Sequence, residues 1–144
     1  MLERTIRNII EDQELLTAPA DTTVSEAALL MKQRHVGAVM VVEEGRLVGV
    51  FTERDALFRV VAEGRDTKST PLAAVMTHKP KTADPDQSFA YALRMMYDGG
   101  FRHVPVVENG KPVGIVSVRD ALGPELEAIV YEMLLQDHID KVLA

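Results

Sequence analysis

The chain has 144 residues, 47% of them apolar and 26% charged, with no cysteine and no tryptophan. A chain of this size buries roughly 68–70% of its unfolded surface and folds without metal or disulfide staples, and the missing thiols exclude disulfide frameworks, cysteine-ligated zinc and cysteine nucleophiles. A formal net charge of −6 offers no global positive field to a nucleic-acid polymer or an anionic membrane, and no apolar run reaches the ~18–20 residues of a membrane helix, so the expected setting is the cytoplasm.

In chain order, Met1 to Glu14 alternates charges with isoleucines, and a short strand is expected near Leu15-Leu16-Thr17. Val24, Ala27, Ala28 and Met31 fall at i, i+3, i+4 and i+7, the stripe of an amphipathic helix. The apolar runs Ala38–Val42 and Leu47–Phe51, joined by Glu43-Glu44-Gly45, predict an antiparallel hairpin, and Thr52 closes it ahead of a second helix. Gly64 to Thr70 is polar and reads as a linker. The same order then recurs: a short strand near Pro80-Lys81-Thr82, a helix striped by Phe89, Ala92, Leu93 and Met96, and the runs Val104–Val107 and Val113–Val116 about Glu108-Asn109-Gly110. Asn-Gly is a strong two-residue hairpin signal, because both residues tolerate positive φ. Ser117 precedes another helix, which Gly123-Pro124 is expected to break, and 125–144 follows as an amphipathic helix with Leu126, Ile129, Val130, Met133 and Leu134 on one stripe.

The recurrence is a duplication. Residues 17–57 align with 82–122 at an offset of 65 without a gap, and sixteen of the 41 positions are identical; average residue usage gives roughly two or three. A lone unit of about 60 residues has a marginal core and a bare sheet face, which a second copy packed sheet to sheet would cover. The expected architecture is α+β: two β-α-β-β-α repeats, residues 6–65 and 70–124, with small three-stranded sheets packed in pseudo-twofold symmetry.

Each hairpin ends in a shared form, Gly49-Val50-Phe51-Thr52-Glu53-Arg54-Asp55 and Gly114-Ile115-Val116-Ser117-Val118-Arg119-Asp120. Helix capping alone accounts for a hydroxyl followed three residues later by an acid. The same geometry suits a ligand: free amides and a hydroxyl meet a phosphate, a carboxylate one turn inward accepts a ribose diol, and the glycine permits close approach.

The Gly-x-x-Thr/Ser-x-x-Asp ending, the strands Val41-Val42-Glu43 and Val106-Val107-Glu108, and the segment Val75-Met76-Thr77 resemble the CBS domain, named for cystathionine β-synthase. The pair resembles a Bateman module over about Ile6 to Leu122. The resemblance implies a regulatory module, not an enzyme, that binds an adenosine compound (AMP, ADP, ATP, S-adenosylmethionine or NAD) in clefts between the repeats, associates as a homodimer and signals to an unknown regulated protein. By position, Asp120 and Asp55 would hold ribose, and Ser117 and Thr52 would contact phosphate. The Ser117–Asp120 cleft would draw on Leu16, Val36 and Ala38. The Thr52–Asp55 cleft would draw on Met76, Thr77, Lys81 and Phe101.

Arg102-His103 stands where the first repeat has Gly37-Ala38. Solvation of a sheet edge is one account of this basic pair, and phosphate binding in the Ser117–Asp120 cleft is the expected one, with Arg119, Arg54 or Lys81 left to compensate in the other cleft. The opposing function is a dimerisation or interaction module with unoccupied clefts. His35, His78, His103 and His138 lack metal-ligand spacing, and no hydrolase or nucleotide-hydrolysing loop motif occurs.

Overall fold

A computed structural model describes residues 4–143. The two striped segments form the helices α2 (Val24–Arg34) and α5 (Phe89–Gly99), after the short helix α1 (Ile6–Ile10) and strand β1 (Thr17–Ala18). Thr23 and Ser88, one repeat apart, cap α2 and α5 by accepting from Glu26 N and Tyr91 N. Both helices end on a left-handed residue, His35 in one and Gly100 in the other.

The hairpins are β2 (Ala38–Glu43) with β3 (Arg46–Thr52), and β5 (His103–Glu108) with β6 (Lys111–Ser117). Glu44-Gly45 and Asn109-Gly110 all have positive φ, as a two-residue turn matched to strand twist requires. Each hairpin shifts register at the same place, between Val41 and Val42 and between Val106 and Val107.

The sheets are not the expected equal pair. The first has four strands in the order β1-β2-β3-β4, where β4 is Thr77–His78, and the second has β5 and β6 alone. The strand expected at Pro80-Lys81-Thr82 shrinks to a single parallel bridge, Ala83 to Val106. In the first repeat Met40 N donates to Leu16 O; the aligned Pro105 has no N–H to give to Lys81, so the ladder cannot extend. At the opposite edge, the side chain of Gln13 stands in for a strand, donating to Ile115 O at 2.8 Å and accepting from Ile115 N at 2.7 Å.

Sequence repeats and cores do not coincide. Ile6 and Ile10 of α1 are buried with Phe89, Ala92, Met96, Val104 and Val116 of the second repeat. Leu72 and Val75 of α4 (Leu72–Val75), with Met76, are buried with Val24, Ala27, Met31, Val39 and Phe51 of the first. The exchange is mirrored in the backbone: Phe89 N donates to Arg4 O and Ile6 N to Gln87 O on one side, while Val24 N donates to Thr70 O and Leu72 N to Thr22 O on the other. Arg7 adds exposed ion pairs to Asp86 and Glu108, which contribute little beside the apolar burial.

After Thr52 the chain makes one turn of helix, α3 (Glu53–Asp55), and widens into a π-helical turn, Ala56–Val61. After Ser117 it makes a 3-10 turn, Val118–Leu122, and runs directly into α6 (Gly123–Leu143). Gly123-Pro124 therefore begins a helix instead of breaking one, since proline is tolerated in a first turn, where its missing N–H has no partner to lose. On α6, Ile129, Tyr131, Met133 and Leu134 are exposed; the side chains of Leu126 and Val130, expected on that stripe, lie outside the described residues.

The motif glycines serve the exchange. A Cβ on Gly49 would lie 2.4 Å from Met76 Sδ, and one on Gly114 would lie 2.7 Å from Ile10 Cγ2. Both glycines make room for an exchanged side chain, whereas the sequence suggested room for a ligand. Gly114→Ala is expected to cost about 1–3 kcal/mol by overpacking in urea unfolding. Adding Ile10→Ala should recover part of that loss, and simple additivity of the two would contradict the contact.

Candidate ligand-binding clefts

The hairpin ends place the two Thr/Ser-x-x-Asp turns beside cavities built from both repeats. The larger cavity, about 1090 Å³, has Ser117 and Asp120 on one wall and Leu16, Val36 and Ala38 on another, with Met40 and Ile9 adding apolar surface. The smaller, about 660 Å³, has Thr52 and Asp55 facing Thr77, Lys81 and Phe101. Each expected set is thus brought together with one exception. Met76 does not line the smaller cavity: its side chain is buried in the first core against Gly49, and its carbonyl accepts from Arg59 Nη1 at 2.8 Å.

Arg102 and His103 line both cavities, as does Glu53. The basic pair was expected in one cleft only; it forms a shared wall because β5 begins where the halves meet. Burial pushes the His103 imidazole below the ordinary value of 6.5 and Arg102 adds to the fall, outweighing the opposing pull of Glu53, Asp120 and Asp55. At neutral pH His103 is a neutral donor or acceptor, and the fixed positive charge of the wall is that of Arg102, with the Glu53 carboxylate beside it.

The two motif acids differ sharply in what they already hold. Asp55 is buried. Its Oδ2 accepts from Thr52 N at 3.0 Å and Thr52 Oγ1 at 3.2 Å, and its Oδ1 accepts from Thr77 Oγ1 at 3.4 Å and lies 3.5 Å from Arg59 Nε. Asp120 is half-buried, and among the described residues its side chain accepts only from Ser117 N, at 2.8 Å through Oδ2. The source of this difference is local. The position aligned with Arg59 is Pro124 and that aligned with Thr77 is Asp12, so the second repeat has neither the clasping guanidinium nor the added hydroxyl. Asp120 retains acceptor capacity facing the larger cavity; Asp55 has spent most of its own.

Arg54 and Arg119 join the halves. Arg54 Nη1 donates to Gly100 O at 2.8 Å and its guanidinium lies 5.7 Å from the Phe58 ring. Arg119 Nη1 reaches toward His35 O at 3.5 Å. Each arginine meets the carbonyl that ends the other repeat's helix, with Arg54 lining the smaller cavity and Arg119 the larger.

Sequence reasoning missed Arg59, Glu53 and Arg4. Arg4 lines the larger cavity, donates from Nη2 to Asp120 O at 3.1 Å and lies 5.0 Å from the Phe89 ring. Arg59 and Pro124 stand two positions beyond the aligned 17–57 and 82–122, and Arg4 lies ahead of them, so neither gave a signal.

A histidine whose folded value is depressed contributes stability that is present above its unfolded value and lost as pH falls, because the unfolded chain takes up the proton first. Between about pH 7.5 and about pH 5.5 the wild type should therefore lose more unfolding free energy than His103→Gln in urea titrations. Equal losses would contradict the depressed imidazole.

Among the described residues, no helix is long and apolar enough to cross a membrane. A family model for the CBS domain matches residues 6–62 and 72–124. The CBS domain-containing protein YhcV of Bacillus subtilis is 39% identical over 107 residues, 74% of this chain and 76% of that protein. A mitochondrial CBS domain-containing protein of Arabidopsis thaliana is 36% identical over 126 residues, 84% of this chain but 59% of its own length. Among solved structures, a signal-transduction protein with CBS domains from Burkholderia ambifaria superposes with a TM-score of 0.79 at 29% identity, covering 85% of this chain and 94% of that one. A CBS domain protein from Pyrobaculum aerophilum, complexed with AMP, superposes at 0.73 with 28% identity, covering 87% and 98%. With both repeats matched and the fold shared, the chain belongs to the CBS-domain family as a tandem pair.

Proposed function

We propose that this pair is a regulatory module that takes an adenosine-containing ligand in the larger cleft. The observation that carries this is the contrast between the two acids: Asp120 faces that cleft with acceptor capacity left, while Asp55 is clasped by Arg59 and Thr77. The ribose diol is assigned to Asp120 and the phosphate to Ser117 and Arg102. Leu16, Val36 and Ala38 form the apolar slot for the base. The AMP complex of the Pyrobaculum relative supports the ligand class; AMP, ADP, ATP, NAD and S-adenosylmethionine share the adenosine that this cleft would hold. Bound ligand touches both repeats, so it favours the arrangement it fits best, and a regulated protein would sense that arrangement. Residues 6–65 and 70–124 act as the two lobes in this scheme, with no catalytic step assigned to either.

Calorimetry with AMP tests the assignment. Asp120→Ala should weaken binding by about 1.5–3 kcal/mol, the value of hydrogen bonds to a charged group. Asp55→Ala should lower folding stability and leave AMP affinity within about 0.5 kcal/mol. Arg102→Ala should weaken AMP more than adenosine. Equal losses at Asp55 and Asp120, or no heat with AMP, would contradict the reading.

A self-association role for 125–144 is supported by the exposed apolar side chains of α6, Ile129, Tyr131, Met133 and Leu134, and a second copy of the chain is the proposed occupant. Light scattering on Met133→Glu/Leu134→Glu should then give a smaller species than the wild type. An unchanged mass would remove α6 from the interface.

A further inference from the structure

Helix α6 (Gly123–Leu143) carries apolar residues on two opposite sides. At about 100° per residue, Tyr131, Leu135, Ile139 and Val142 fall within about 80° of one another, while Ile129 and Met133 lie across the helix from them. The apolar stripe thus changes sides along Met133-Leu134-Leu135. One neighbour cannot cover both halves of such a helix, and the chain itself leaves the second half bare: every described residue from Tyr131 to Leu143 is exposed. A helix without tertiary cover is marginal in water, so the second face calls for a partner of its own.

The residues on that face point to which partner. Leu135, Ile139 and Val142 are spaced by four and then three, the repeat of a coiled-coil seam, with Ile139 at one core position and Leu135 and Val142 at the other. Charges that flank such a seam set partner choice. Here the flanking positions hold Tyr131, Gln136, His138 and Leu143, with no Asp, Glu, Lys or Arg among them. The fixed charges of the last turns, Asp137, Asp140 and Lys141, fall on the other side and are satisfied within the helix. Lys141 Nζ pairs with Asp137 at 2.8 Å, and Gln136 Nε2 donates to Asp140 at 2.8 Å. Glu132 stands at the N-terminal end of the seam and limits it to Leu135–Val142. A chain of net charge −6 pairs with its own copy at least cost where no acids are brought face to face. This seam meets that condition, and it has no charge by which to prefer a foreign helix.

We propose that the seam of Leu135, Ile139 and Val142 pairs with the same seam of a second copy, as an interface separate from the one assigned to Met133 and Leu134. With both interfaces in place each α6 lies between two others, and the chain associates in fours. The seam is on the other face of the helix, so it stands or falls apart from that earlier assignment and from the adenosine cleft.

Light scattering on the full chain reads the two interfaces separately. Leu135→Glu/Ile139→Glu should halve the wild-type mass, from four chains to two, and combining it with Met133→Glu/Leu134→Glu should leave single chains. If the Met133–Leu134 interface is absent, the wild type should run as two chains and the seam variant alone as one, which still supports the seam. The seam side chains are exposed, so these variants should fold; Leu135→Gln/Ile139→Gln, with unchanged helical circular dichroism, should give the same halving. The chain has no cysteine, which permits a second readout. In the Met133→Glu/Leu134→Glu background, Ile139→Cys at the middle of the seam should be oxidised by diamide to a covalent dimer, and Asp137→Cys on the opposite side should not. A mass that neither seam variant changes, or equal cross-linking from the two cysteines, would overturn the proposal.

Discussion

Each half of this chain lacks a wall that only the other half supplies. Ile6 and Ile10 close the second core, Leu72, Val75 and Met76 close the first, and Gly114 and Gly49 leave the space for Ile10 and Met76 to reach the hairpins. Fully burying one such side chain is worth about 1.5–3 kcal/mol, so the exchanged residues together rival the net stability of an ordinary domain. Neither lobe can therefore be removed without opening the other. The exchange also draws the two hairpin ends to one meeting line, where Arg102, His103 and Glu53 face both cavities.

Duplication built two clefts, and single residues then made them unlike. Arg59 against Pro124 decides whether the motif acid is already paired, Lys81 against Leu16 decides whether the wall is cationic or apolar, and Arg102-His103 against Gly37-Ala38 decides where fixed positive charge stands. The backbone turn is alike at both sites: Thr52 N donates to Asp55 and Ser117 N donates to Asp120. Capping therefore does not use up the motif acid at Asp120. The backbone N–H takes one oxygen of Asp120 for the cap and leaves the rest of the carboxylate facing the larger cavity.

The sequence made legible those features whose cause is local. Helix stripes, the Asn109-Gly110 turn and the caps at Thr23 and Ser88 follow from period, left-handed tolerance and hydroxyl capping, and all stand in the structure. The partner of an apolar residue is not a local property. Ile6, Leu72 and Met76 are apolar, yet nothing in their spacing says which core receives them, and the resemblance that gives Met76 to a cleft is overridden by its burial against Gly49. The missing strand at Pro80-Lys81-Thr82 was legible in principle, because Pro105 sits where a ladder N–H is needed. Gln13 was not, since a side chain serving as a strand partner leaves no periodic trace. The repeat alignment shows which residues the two hairpin ends place beside the cavities, and the asymmetry between Asp55 and Asp120 needed the position of Arg59 in space.

One motif acid, Asp55, is consumed by the fold, and in the function proposed the other, Asp120, is left for ligand. The most direct measurement is a crystal structure of the full chain grown with AMP. The ribose hydroxyls are expected against Asp120 in the larger cleft, with the Asp55–Arg59 pair intact. AMP seated with its ribose on Asp55, and Arg59 displaced, would contradict the account.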